Sequence, residues 1–167
     1  MIDSEKDKRY ISVGGPSTDS KVTLSIYKDE IDLPALTTLI GCEPTSARRK
    51  GEKISGRPKM PPARIGQWFL EAPKELEFAE KVQFLLESTE PNADVWQMIA
   101  QSHTIRLSCA IFLHSWTEGF VLSPGIMSGL AAKHWEFSLS MYSAEGDEIV
   151  DSFLRNHQDN QEGKDVN

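Results

Sequence analysis

Between Lys21 and Tyr142 the chain switches repeatedly between two hydrophobic periods. Val22, Leu24 and Ile26 alternate with Thr23, Ser25 and Tyr27, the two-residue period of a strand that buries one face. Asp32 is placed to cap a short helix with Pro34 in its first turn and Leu36, Leu39 and Ile40 along one side, and Gly41 marks its stop. Cys42 to Arg64 is punctuated by Pro44, Gly51, Gly56, Pro58, Pro61 and Pro62. A connection of that length without structure is unusual in a compact domain, so the expectation is a short strand near Ser46 to Glu52, a loop, and a strand from Ile65 to Glu71 holding Trp68 and Leu70.

Helical spacing returns with Leu76, Ala79, Val82 and Leu86, flanked by Phe78 and Leu85, until Pro91 interrupts it. A second short helix is expected with Val95, Met98 and Ile99 inward. The longest alternation follows, Ile105, Leu107, Cys109, Ile111 and Leu113 against Arg106, Ser108, Ala110, Phe112 and His114. Ser123-Pro124 has the form of a helix start, with Ile126, Met127, Leu130 and Ala131 as its buried stripe. Trp135, Phe137, Leu139 and Met141 then alternate with Glu136, Ser138, Ser140 and Tyr142 as a last strand, and one more amphipathic turn is expected through Ile149, Val150, Phe153 and Leu154.

These elements run β, α, β, β, αα, β, α, β. The fold expected is α+β: a ferredoxin-like βαββαβ core with an added helix and strand, its mainly antiparallel sheet carrying helices on one face. Residues 1–20 read as a flexible lead with an ordered piece at Tyr10 to Val13, residues 21–155 as a single domain, and residues 156–167 as a polar tail. A one-sided sheet leaves its other face open. The outward positions are Thr23, Ser25 and Tyr27, then Arg106, Ser108, Phe112 and His114, then Ser138, Ser140 and Tyr142. Aromatic rings and hydroxyls of this kind are common at interfaces, and Tyr27, Phe112, His114 and Tyr142 are expected to lie close together as a binding surface.

Composition narrows the partners. At 167 residues one core is expected. The net charge of −7 is uneven: Arg48 to Arg64 holds seven bases against one acid, a local +6 that leaves −13 for the remainder. So acidic a body disfavours nucleic acid as a general partner and suits a basic protein. The basic segment itself is a candidate anion site, with Arg48, Arg49 and Arg57 as donors, set against the plainer reading of solvated charge. No apolar run is long enough for a membrane span. The acid-containing start, Met1 to Arg9, lacks the order of a secretory leader, so a cytoplasmic location and free thiols at Cys42 and Cys109 are expected.

Catalytic patterns are lacking. His103, His114, His134 and His157 are not at helical metal-pair spacing, and the sequence holds no nucleophile elbow, phosphate loop or dinucleotide fingerprint. No catalytic residue, metal or cofactor is assigned. Trp68, Trp96 and Trp135 read as core, and Trp116 as a loop residue.

The landmarks Glu43-Pro44-Thr45, Arg49-Lys50-Gly51-Glu52, Gly56-Arg57-Pro58, Gly66-Gln67-Trp68 and Leu122-Ser123-Pro124, in this order, resemble the bacterial family catalogued as domain of unknown function 4279. The resemblance covers roughly Lys21 to Tyr142 and implies a small bacterial α+β protein, with no activity attached. The function expected is a non-catalytic interaction protein, most concretely an immunity-type protein that neutralises a basic toxin. The alternatives are a small-molecule or anion-binding regulatory domain and an enzyme assembled from scattered residues.

Overall fold

Ser20–Lys28 forms β2, the strand on which the sheet is built. Its inward residues Val22, Leu24 and Ile26 are fully buried, as their alternation requires. In the computed structural model, which describes residues 15–16, 19–53, 59–114 and 118–143, α1 follows as Leu33–Ile40. The Asp32 side chain accepts the Ala35 N–H at 3.1 Å, and Gly41 closes the helix at φ 81°, a conformation costly for residues with a Cβ. The basic stretch yields only a three-residue strand, β3 (Ser46–Arg48), instead of one reaching Glu52. The chain turns there, with Gly51 N–H donating to Ala63 O. β4 is Gly66–Glu71.

The two following helices are α2 (Phe78–Ser88) and α3 (Ala93–Ala100). The Glu80 carboxylate accepts the Glu77 N–H ahead of α2, and the Asn92 side chain accepts the Asp94 N–H at the start of α3. Their inward faces follow expectation in part. α2 buries Phe78, Val82 and Leu85, packs Ala79 and Leu86 half-buried against the same core, and adds Lys81 to the buried face; α3 buries Trp96 and Ile99 with Val95 half-buried, and Met98 is half exposed. β5 is Thr104–Leu113, and α4 is Pro124–Ala132, capped by Ser123 and burying Ile126 and Leu130 but neither Met127 nor Ala131. β7 (Glu136–Ser143) is the last strand. A two-residue parallel pair, β1 (Gly15–Pro16) with β6 (Glu118–Gly119), stands apart from the sheet.

The five-stranded sheet has the order β3-β4-β2-β5-β7. Every neighbouring pair is antiparallel except β5 and β7, which run parallel because α4 carries the chain back across the sheet. The fold is thus α+β, a mixed and mostly antiparallel sheet with four helices among the described residues. Buried residues from all four helices join one apolar cluster with the inward residues of β2, β4 and β5. Trp68 in β4, Trp96 in α3 and Trp135 just before β7 lie in it, as expected of tryptophans in or beside regular elements. Trp68 Nε1 donates to Thr37 Oγ1 and Trp96 Nε1 to Glu90 O, so both indoles bury their ring without stranding the N–H.

Two lysines are buried in this layer. Lys81 Nζ donates to Ser20 O at 2.6 Å and to Ser20 Oγ, tying α2 to the first residue of β2. Lys133, just past α4, donates to Leu86 O, Thr89 O, Thr89 Oγ1 and Glu90 O at the open end of α2. Its ammonium lies 5.3 and 5.5 Å from the Trp96 and Trp135 ring centroids, within cation–π range. Burial pushes its pKa down to about 8, against the opposing charge of Glu90.

Candidate sheet-face interface

The positions that alternate with the core residues make up the other side of the sheet. Register sets them in rows. Arg48, Gln67, Tyr27 and Thr104 form the first row, and Ser46, Phe69, Ser25, Arg106 and Glu136 the second. Glu71, Thr23, Ser108 and Ser138 follow, then Lys21, Ala110 and Ser140, and finally Phe112 beside Tyr142. The face therefore has a band of hydroxyls with aromatic residues at each end.

At the first end Tyr27 meets Phe69 edge to face, with ring centroids 5.8 Å apart. Arg48 flanks this pair and donates to Gln67 Oε1 at 2.7 Å; Arg106 lies on the other side, donating to Glu136 through two nitrogens. In the band, the hydroxyls of Ser25 and Ser108 are 3.5 Å apart, and Ser25 is buried beneath its larger neighbours. At the far end Phe112 and Tyr142 stack at 5.2 Å and 18°, and both rings stay substantially exposed, at 40% and 52%. Beside them His114 Nε2 is 3.2 Å from Asp19 Oδ2, and the His114 N–H donates to Glu118 Oε1.

The expected quartet is thus divided. Phe112, Tyr142 and His114 gather at one end, but Tyr27 is paired with Thr104, eight residues along β5 from Phe112. At strand rise that separation is about 27 Å. Alternation assigns a side chain to a face; only register assigns it to an end.

The basic segment is dispersed by its own partners. Arg48 belongs to the sheet face, Arg49 lies 3.5 Å from Glu52, and Lys50 pairs with Asp29 at 2.6 Å. Arg49 and Lys50 border an open cleft of about 570 Å³ shared with Asp29, Glu30 and Asp32, a lining of mixed sign with no surplus of cations for an anion to exploit. Arg57 lies outside the described residues, as do Tyr10 to Val13, Trp116, the amphipathic turn from Ile149 to Leu154 and the tail of residues 156–167.

Chemically, the face offers stacking at both ends and hydrogen bonding between. Its carboxylates are engaged, Glu71 by Lys21 at 3.0 Å and Glu136 by Arg106. Among the described residues no group of three or more His, Cys, Asp and Glu could hold a metal, and no helix is long and apolar enough to cross a membrane. Cys42 and Cys109 are free thiols, and burial pushes Cys109 up to about 12. Sequence reasoning missed Gln67 and Phe69 as members of the face, although the alternation of Gln67, Phe69 and Glu71 against Trp68 and Leu70 carries the signal.

No curated protein and no solved structure matches the chain. One protein family does, over residues 18–144, which include β2 through β7 and the whole sheet face. The chain belongs to the family described as Domain of unknown function (DUF4279).

Proposed function

We propose that the protein is a non-catalytic interaction module whose partner docks on the open sheet face, most concretely an immunity-type protein that neutralises a basic toxin. The observation carrying this is the exposed Phe112–Tyr142 stack at the rim of a hydroxyl-lined face. Rigid aromatic anchors beside adaptable hydroxyls are the composition of a protein-binding patch. The charge of −13 outside the basic segment supplies long-range attraction for a cationic partner. A ferredoxin-like core fits this reading of the fold, supported by the β3-β4-β2-β5 order with antiparallel neighbours throughout and β7 as an added strand.

A second reading is favoured by the opposite end of the face, where Arg48, Gln67, Tyr27 and Phe69 adjoin Arg106. This arrangement suits a small planar anion, stacked on the rings and bridged by guanidinium groups. The separation of the two ends makes the readings distinguishable. Affinity capture followed by binding measurements should recover a basic protein whose affinity falls at least about tenfold with Phe112→Ser or Tyr142→Ser and hardly changes with Arg48→Gln. Its association rate should drop as salt rises. A small molecule retained by the purified protein and lost only with Arg48→Gln would replace this reading with the regulatory one.

A further inference from the structure

The two edges of the sheet are treated differently. At one, β3 is three residues long, contains Arg48, follows Pro44 and runs into Arg49 and Lys50. Short length, positive charge and a nearby proline are the usual means of preventing a strand edge from pairing with another chain. At the other, β7 runs for eight residues, Glu136-Phe-Ser-Leu-Ser-Met-Tyr-Ser143, with no lysine, arginine or proline. Its only charge, Glu136, is already held by Arg106. Among the described residues its outer backbone edge has no partner strand.

The side chains of β7 are also too apolar for a solvated edge. Phe137, Met141 and Tyr142 are 39%, 54% and 52% exposed, three large apolar or aromatic side chains on one strand. Phe137 and Met141 lie on the helix side, in register with Leu107 and Ile111, yet among the described residues they stay exposed where the inward residues of β2 are buried.

We propose that β7 is a homodimer edge, pairing antiparallel with β7 of a second copy about a two-fold axis through Leu139. An isologous contact must be complementary to itself, and this register satisfies that condition pair by pair. Residues opposite one another in an antiparallel ladder share a face, so a perpendicular two-fold joins only positions of equal parity. Centring on Leu139 sets Phe137 against Met141 and Leu139 against its own copy on the helix side, and Ser138 against Ser140 and Glu136 against Tyr142 on the open side. No like charges meet. The exposed apolar side chains become cross-strand pairs, the unit that stabilises a ladder, and about six main-chain hydrogen bonds form between the copies. The two sheets join into one of ten strands, with the two open faces side by side.

The register supplies its own test. In sedimentation equilibrium at about 100 µM the full chain should be dimeric. Met141→Lys and Phe137→Glu should each weaken the dimer at least about tenfold, because each places a charge against an apolar side chain in the seam. The double variant sets Glu against Lys at both ends of the seam and should recover to within about threefold of the unsubstituted protein. A generally damaged fold would not recover in this way. A monomeric unsubstituted chain at that concentration, single variants as dimeric as the parent, or a double variant no tighter than either single would each overturn the proposal.

Discussion

Replacing Lys133 with methionine keeps the length of the side chain and removes its charge and donors. Three carbonyls then lose their ammonium, those of Leu86, Thr89 and Glu90, and the Thr89 hydroxyl loses a donor. Glu90 O keeps the Trp96 Nε1–H as a donor, so the carbonyls left short are those of Leu86 and Thr89; at about 1–3 kcal/mol for each unsatisfied acceptor they come to roughly 4 kcal/mol. Against this, methionine no longer needs to be taken out of water as an ion. The fall of the lysine pKa from 10.5 to about 8 sets that relief at roughly 3 kcal/mol, at about 1.36 kcal/mol per pH unit. The net expectation is a loss of about 1 kcal/mol at pH 7, a fall in Tm of roughly 2–4 °C for a chain of this size. Urea unfolding followed by tryptophan fluorescence reads it directly, since Trp96 and Trp135 border the ammonium.

The pH dependence is a second arm of the same experiment. The folded state lowers the pKa of Lys133, so the unfolded chain binds more protons between about pH 8 and 10.5, and the penalty of burying the charge, present in full below pH 8, is relieved as pH rises. The stability gap between the parent and Lys133→Met should therefore widen, by about 1.4 kcal/mol from pH 7 to 9. A variant as stable as the parent at pH 7, or a gap that stays constant or narrows, would refute this account of the buried lysine.

Three further outcomes follow from local geometry. Gly66→Ala should destabilise by about 1–3 kcal/mol in the same unfolding assay, since a Cβ there would run into the Ile31 side chain and lie 2.6 Å from Lys28 O. His134 adopts φ 56°, so His134→Gly should be neutral or stabilising by up to about 1 kcal/mol, the release of strain being partly offset by the greater freedom of glycine in the unfolded chain. With iodoacetamide at pH 8, mass spectrometry should find Cys42 modified slowly in the native protein and Cys109 only after unfolding, because burial raises the pKa of both thiols and takes Cys109 to about 12.

Local chemistry made several elements legible. The Asp32 cap and Gly41 stop of α1, the Ser123-Pro124 start of α4 and the long alternation of β5 are each fixed by residues within one turn or one strand. The helix faces were less legible because hydrophobicity is a poor proxy for burial when a polar group finds partners. Lys81 occupies the inward phase of α2 with Phe78, Val82 and Leu85, and Met98 and Met127 are apolar yet half exposed. In the candidate site the face of each residue could be read and its place along the face could not. Tyr27 and Phe112 lie on the same face, but their separation along it is set by the pairing of two strands nearly eighty residues apart in sequence. The same holds for β7, whose alternation is that of a half-buried strand, whereas its edge position depends on strand order.

The place of β2 at the centre of the sheet has a consequence for biosynthesis. It is the first strand of the sheet to be synthesised, yet its partners lie at Gly66–Glu71 and Thr104–Ile111. At roughly 5–20 residues per second, β2 waits about 4–17 s for β5, with Val22, Leu24 and Ile26 uncovered along one face and at least one backbone edge open. Ribosome-bound chains arrested before β5 emerges should be cut readily near β2, and chains arrested after it has cleared the exit tunnel should resist. The strand that holds the finished sheet together is thus the one that must be shielded longest while the chain is being made.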